Sequence, residues 1–147
     1  MFARNRKLIL GGEEIPFKYG LAGHSDADVL IHAIVDALLG AAGLRDIGHY
    51  FPDSDKRWRN ISSLMILKKV TRLLRKKKIK IVNIDSCIIA QEPKISPYVE
   101  KMKKQLAEIL KIKEEYVSIK GKTTEGMGFT GRREGICAIA VCQVLKR

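Results

Sequence analysis

Acidic residues, cysteine and long apolar runs are all scarce in this sequence. Its 16 Asp and Glu face 28 Lys and Arg over 147 residues, for a formal net charge of +12. A balance this basic favours anionic partners: nucleic acid, an anionic surface or a phosphorylated small molecule. The 3 cysteines, Cys87, Cys137 and Cys142, include no close pair. That argues against a disulfide framework and fits a reducing, cytoplasmic setting, with all of them as small apolar fillers. Cys137 and Cys142, an odd number of residues apart, fall on opposite faces of a strand. No apolar run approaches the roughly 20 residues of a membrane helix, so no membrane partner is expected. The basic start, Met1 to Lys7, leads only into a short apolar run and Gly11-Gly12, unlike a secretory signal. Repeats, linkers and low-complexity tracts are missing too. Residues 1–147 therefore read as a single domain, and 46% hydrophobic content supplies a sizeable core.

The basic excess is clustered. Lys68, Lys69, Arg72, Arg75, Lys76, Lys77, Lys78 and Lys80 form one group; Lys101, Lys103, Lys104, Lys111 and Lys113 form another. Both fall on amphipathic helices or their ends, where a solvated charged face is the ordinary explanation. Neither has interleaved aromatics to stack on bases, so nucleic acid is not expected as a partner.

Around these clusters the pattern predicts a β-hairpin (7–10 and 13–17), a helix over 26–42 stopped by Gly43, and a polar loop over 45–55 too rich in turn formers for a helix. A second helix follows over 61–77, then a β-branched strand over 80–89. Ser96-Pro97 opens a third helix reaching Leu110. Tyr116–Lys120 reads as a strand, residues 121–135 as a glycine-rich loop, and Ile136–Leu145 as a closing strand apolar enough for burial on both faces. The order implies an α+β fold, a small mixed sheet with helices on one face.

Two stretches carry chemistry. In His24–Asp36, Ser25 or Asp26 can cap the helix, and Asp28 adds charge favoured by the helix dipole. His32 lies four residues from both Asp28 and Asp36, so all share one side of the helix. Carboxylates there can fix the imidazole's tautomer and free its other nitrogen for a metal. A half-buried histidine in a local hydrogen-bond network also fits, since one ligand does not make a metal site. In Lys122–Gly135, hydroxyls, glycines and basic residues suit phosphate oxygens, and Glu125 is a hard ligand for a magnesium bridging two phosphates. An ordinary turn-rich loop also fits.

Together with Asp36-Ala37-Leu38-Leu39-Gly40, Asp46-Ile47-Gly48, Phe51-Pro52-Asp53 and Ala90-Gln91-Glu92-Pro93-Lys94, these stretches resemble the 2-C-methyl-D-erythritol 2,4-cyclodiphosphate synthase family of the non-mevalonate isoprenoid pathway. The resemblance runs from Lys7 to the end of the chain. It implies an enzyme that cyclises 4-diphosphocytidyl-2-C-methyl-D-erythritol 2-phosphate and releases CMP, acting as a homotrimer with active sites between subunits. It implies zinc at His32 and magnesium or manganese, carried with the diphosphate, at Glu125. His24 and Thr123 would position and stabilise the transferring phosphate, with Ser25 touching the same region. Lys122, where the family often has a small or hydroxyl residue, and Thr124 flank Thr123. Asp46, Ile47 and Gly48 would hold the sugar, with Phe51, Pro52, Asp53, Ser54 and Asp55 beside it. Ala90, Gln91, Glu92, Pro93, Lys94, Ile95 and Ser96 would form the cytosine pocket. Phe129 and Arg132 would close the substrate loop near the trimer axis. In one respect the sequence departs from the family, which opens on a strand whose Asp-x-His supplies two zinc ligands. No Asp-x-His occurs here. The expectation is that it lies upstream of Met1; the alternative is a homologue that keeps the trimer and cytidine-nucleotide binding without turnover.

Overall fold

The structure, a computed structural model, describes residues 1–146. Its N-terminal part is made of short antiparallel pairs: Phe2–Ala3 (β1) with Gly20–Leu21 (β4), and the hairpin of Leu8–Leu10 (β2) with Glu13–Ile15 (β3). The hairpin turns on Gly11 and Gly12, whose φ values of 58° and 81° lie in the left-handed region that glycine alone visits freely. Room is also short there. A Cβ on Gly11 would stand 2.8 Å from Met102, and one on Gly12 would stand 2.7 Å from Leu64.

Helix α1, Val29–Ala41, buries Leu30, Ile31, Ile34, Val35, Leu38 and Leu39 completely. Its cap is Asp28, whose Oδ1 accepts from the Ile31 N–H at 3.0 Å, and not Ser25 or Asp26 as the sequence suggests. Those two side chains are already engaged. Ser25 Oγ accepts from the Ala27 N–H at 3.1 Å, and Asp26 Oδ2 accepts from the Ser63 N–H at 2.8 Å. Ala27 lies between them at a φ of 56°, so helical geometry cannot begin earlier. A single turn, α2 (Ile47–Tyr50), forms inside the stretch expected to be loop. It forms because two carboxylates satisfy its first donors: Asp46 Oδ1 accepts from His49 N at 3.0 Å and Asp36 Oδ1 from Ile47 N at 2.8 Å.

Helix α3 (Ser63–Lys76) leads into β5 (Ile79–Ile89), α4 (Val99–Leu110) into β6 (Val117–Lys122), and a short helix α5 (Gly128–Gly131) into β7 (Cys137–Lys146). The sheet runs β6-β5-β7, parallel between β5 and β6 and antiparallel between β5 and β7. Ile79, Ile81, Ile84 and Ile88 of β5 and Val117 and Ile119 of β6 face α1, α3 and α4 in one core. The fold is thus mixed α+β with its helices on one face. Among the described residues no helix is long and apolar enough to cross a membrane.

Strand β7 departs from its expected burial. Ala138, Ala140, Cys142 and Val144 pack against the core, but Ile139, Val141 and Leu145 are 57%, 62% and 50% exposed. The apolar run is real; the three long helices cover only one side of the pleat, leaving the other face open. Cys137 and Cys142 do divide between the faces, and all three cysteines are free. Burial pushes the Cys142 thiol pKa up. The first basic cluster, Lys68 through Lys80, is solvent-exposed at every lysine and arginine.

Candidate active site

The loop between β4 and α1 has no regular structure, so its backbone polar groups need other partners. His24 O accepts from Asn60 N at 3.1 Å, and Ser25 Oγ lies 3.4 Å from Nε2 of His32, one turn into α1. With α2 and the following loop, these residues enclose a cleft of about 360 Å³. His24, Ser25, His32, Ile47, Gly48, Phe51 and Asp53 line it, so the structure gathers most of one predicted group. Trp58 and Arg59 line it too. Neither stands out in the sequence, where the one signal for Trp58 is that it is the lone tryptophan of a polar loop. Trp58 packs edge-on against Phe51 at 5.1 Å, and Arg57 and Lys69 each approach its ring at 5.3 Å.

The expected pairing of His32 with Asp28 and Asp36 is not formed. Asp28 is fully buried and directed elsewhere: Oδ1 accepts from Gly11 N at 3.0 Å as well as from Ile31 N, and Oδ2 accepts from Gly12 N at 2.7 Å. One carboxylate thus ties the β2–β3 turn to the start of α1. Burial raises its pKa to about 7, against the three N–H donors that favour the ionised form. Asp36 is spent on α2. Burial holds the His32 imidazole below its ordinary range, outweighing the opposing pull of Asp26, Asp36 and Asp53, so the ring is neutral at neutral pH.

A second cleft, of about 740 Å³, opens at the far end of β5. Ala90, Gln91, Pro93, Lys94, Ile95, Ser96, Lys122 and Thr123 line it, joined by Val99, Glu100 and Gly121. Gly121 leaves the room that lets Ile95 sit there: a Cβ would stand 3.2 Å from Ile95 Cβ. The Thr-rich loop beside this cleft is internally braced. Thr123 Oγ1 donates to Glu125 Oε1 at 3.0 Å, Thr124 Oγ1 donates to the Met127 carbonyl, and Gln91 Oε1 accepts from Gly126 N at 3.3 Å.

No residue lines both clefts. Asp46, Pro52, Ser54, Asp55, Glu92, Thr124, Glu125, Phe129 and Arg132 line neither. Asp46 caps α2; Asp55 pairs with Arg57 at 2.6 Å, Arg132 with Glu134 at 2.7 Å, and Glu92 with Arg133 at 3.6 Å. Phe129 is exposed.

Metal-binding capacity is limited. Among the described residues no group of three or more His, Cys, Asp or Glu is placed to hold an ion. A zinc ion takes about three protein ligands, and His32 supplies one, so residues 1–146 do not fit a resident zinc. Glu125 meets a smaller demand. Magnesium delivered with phosphates needs only one or two carboxylates, and this one is exposed at the cleft's margin.

The fold is that of an α+β protein with two separate candidate clefts. The profile of the YgbB family matches residues 1–145. A 2-C-methyl-D-erythritol 2,4-cyclodiphosphate synthase of Caldicellulosiruptor bescii is 62% identical over 95% of this chain and 89% of its own length. The bifunctional IspDF of Campylobacter jejuni superposes with a TM-score of 0.94 at 39% identity, covering 99% of this chain and 40% of that longer one. IspF of Plasmodium falciparum, solved as a CDP complex, superposes with a TM-score of 0.84 at 35% identity, covering 99% of this chain and 87% of that one. The chain belongs to the YgbB family.

Proposed function

We propose that this chain is a 2-C-methyl-D-erythritol 2,4-cyclodiphosphate synthase and that each active site combines the first cleft of one copy with the second cleft of its neighbour in a homotrimer. The observation that carries this reading is the division itself: the matching motifs sort into two clefts with no lining residue in common. The open sheet face with Ile139, Val141 and Leu145 supports assembly, since apolar surface of that kind is ordinarily covered.

The cytidine end of the substrate belongs in the second cleft. There Ala90 to Ser96 present backbone groups to the base. The methylerythritol 2-phosphate end belongs in the first, beside His24, Ser25, Gly48 and Asp53. Held between the two, a 2-phosphate oxygen attacks the β-phosphorus in line. A new P–O bond closes the ring, the bond from β-phosphorus to the bridging oxygen breaks, and CMP leaves with that electron pair. The chain's own residues contribute by alignment and by donors aimed at developing charge. Thr123 exchanges its Glu125 partner for a phosphoryl oxygen, and His24 stabilises the same group. A magnesium ion held at Glu125 would neutralise diphosphate charge; the described residues do not fit a zinc ion.

The test is CMP release from 4-diphosphocytidyl-2-C-methyl-D-erythritol 2-phosphate, with appearance of the cyclic diphosphate followed by ³¹P NMR. Binding of CDP without CMP release would select the trimer that has lost turnover. In the active protein, Thr123→Ala is expected to lower kcat by about tenfold to a hundredfold while KM moves by less than about threefold, because its contact tightens in the transition state. A change confined to KM would remove Thr123 from that role.

A further inference from the structure

We infer that Arg6 is a positioning residue for the synthase site, holding the backbone on both sides of His24. This rests on the cyclodiphosphate synthase reading. The Arg6 guanidinium donates through one terminal nitrogen to the Gly23 carbonyl at 2.6 Å and through the other to the Ser25 carbonyl at 2.7 Å. Between them, the His24 carbonyl accepts from Asn60 N at 3.1 Å. Successive carbonyls of an irregular loop are therefore all held from outside the loop.

The geometry that places Arg6 there is tightly set. Asn5, at a φ of 58°, turns the chain just before it. The Arg6–Lys7 backbone then presses against β4 at Gly20, where a Cβ would stand 2.3 Å from the Lys7 carbonyl oxygen and 2.7 Å from Arg6 Cβ. No carboxylate pairs with Arg6 among the described residues. Its planar fork is spent on two carbonyls spaced as a guanidinium can span them, which a lysine's single ammonium matches poorly. Arg6 does not line either cleft, so it acts through His24 and Ser25 and not on the substrate.

Arg6→Ala and Arg6→Lys test this by turnover, melting temperature and amide hydrogen exchange. For Arg6→Ala, kcat should fall about tenfold to a hundredfold, as expected when reacting groups are misplaced by an ångström, with KM within about threefold. Millimolar methylguanidinium should restore part of the loss saturably, where sodium chloride of equal ionic strength does not. Arg6→Lys should lie between Arg6→Ala and wild type. A kcat within about threefold of wild type, or a loss that tracks a lower melting temperature and resists rescue, would overturn the role. If the wild type itself releases no CMP, the synthase reading fails on its own, and hydrogen exchange still decides about Arg6. Amides of residues 22–28 should exchange at least about tenfold faster in Arg6→Ala, and unchanged protection there would reject the clamp.

Discussion

Asp28→Ala is expected to destabilise the fold by about 4 kcal/mol, lowering the melting temperature by roughly 10 °C. The substitution removes the α1 cap, worth about 1 kcal/mol. It also leaves the buried Gly11 N–H and the half-buried Gly12 N–H without their acceptor; a fully buried donor so orphaned costs about 1–3 kcal/mol, and the half-buried one less. Water cannot readily replace the carboxylate, because Met102 and Leu64 crowd the turn. Asp28→Asn keeps the volume and one acceptor but turns an NH₂ toward a donor, so it should lose about half as much. Thermal unfolding of both variants measures this, and a loss below about 1 kcal/mol for alanine would show that the turn and helix are held by packing alone.

The same carboxyl gives a pH dependence with a definite sign. Its pKa in the folded state, about 7, lies above the 3.8 of a free aspartate. The folded protein therefore binds this proton more tightly than the unfolded chain does. Asp28's contribution is complete below pH 3.8, declines as the pH rises toward about 7, and is constant above that. Urea midpoints of wild type and Asp28→Asn, compared at pH 5 and pH 8, isolate this group from the others. The wild type should lose more stability than the variant over that interval; parallel slopes would refute a carboxyl that titrates there.

Under the proposed trimer, Val141→Lys should yield monomers and lower turnover by at least about a hundredfold, with little change in the stability of the isolated subunit. Within one chain Val141 is 62% exposed and lies directly across from Asp85, so a lysine there is accommodated and even has a carboxylate in reach. Across a subunit interface it would bury an ammonium in every copy, at several kcal/mol each. Turnover falls because separating the copies separates the two clefts. Light scattering and the CMP assay report the two effects together. A variant that remains a trimer and turns over normally would move the interface off this face; a monomer at full activity would show that one chain holds a complete site.

Much of this was legible in the sequence where short-range rules decide. Helix α1 follows from the spacing of Val29, Ile31, Ile34, Val35, Leu38 and Leu39, although Leu30 and not Val29 completes its buried face, and the Gly11-Gly12 turn from the residues themselves. In Lys122–Gly135 the hydroxyls and glycines are legible as phosphate chemistry, but residues 46–55 and 90–96 carry a binding role only through the family resemblance. What was not legible depends on residues far apart in the chain. Asp28 spaces correctly to His32, yet its partners Gly11 and Gly12 lie 17 and 16 residues upstream, out of reach of helical periodicity. The one-sided cover of β7 depends on where the helices return to the sheet, and alternation within an all-apolar run gives no warning of it. The separation of the motifs into two clefts depends on the β4–α1 loop and α2 lying apart from the ends of β5 and β6; Trp58 joins the first cleft through a loop, and Arg6 touches only the backbone beside it.

In the proposed trimer, the two clefts would also make inactivity a shareable defect. A copy damaged at His24 still presents a sound second cleft to one neighbour, and a copy damaged at Thr123 still presents a sound first cleft to the other. Each variant assembled alone is silent at every junction. On that proposal, any ring that mixes them would have one junction where the two sound halves meet, so recessive alleles of this protein would complement one another within a single oligomer.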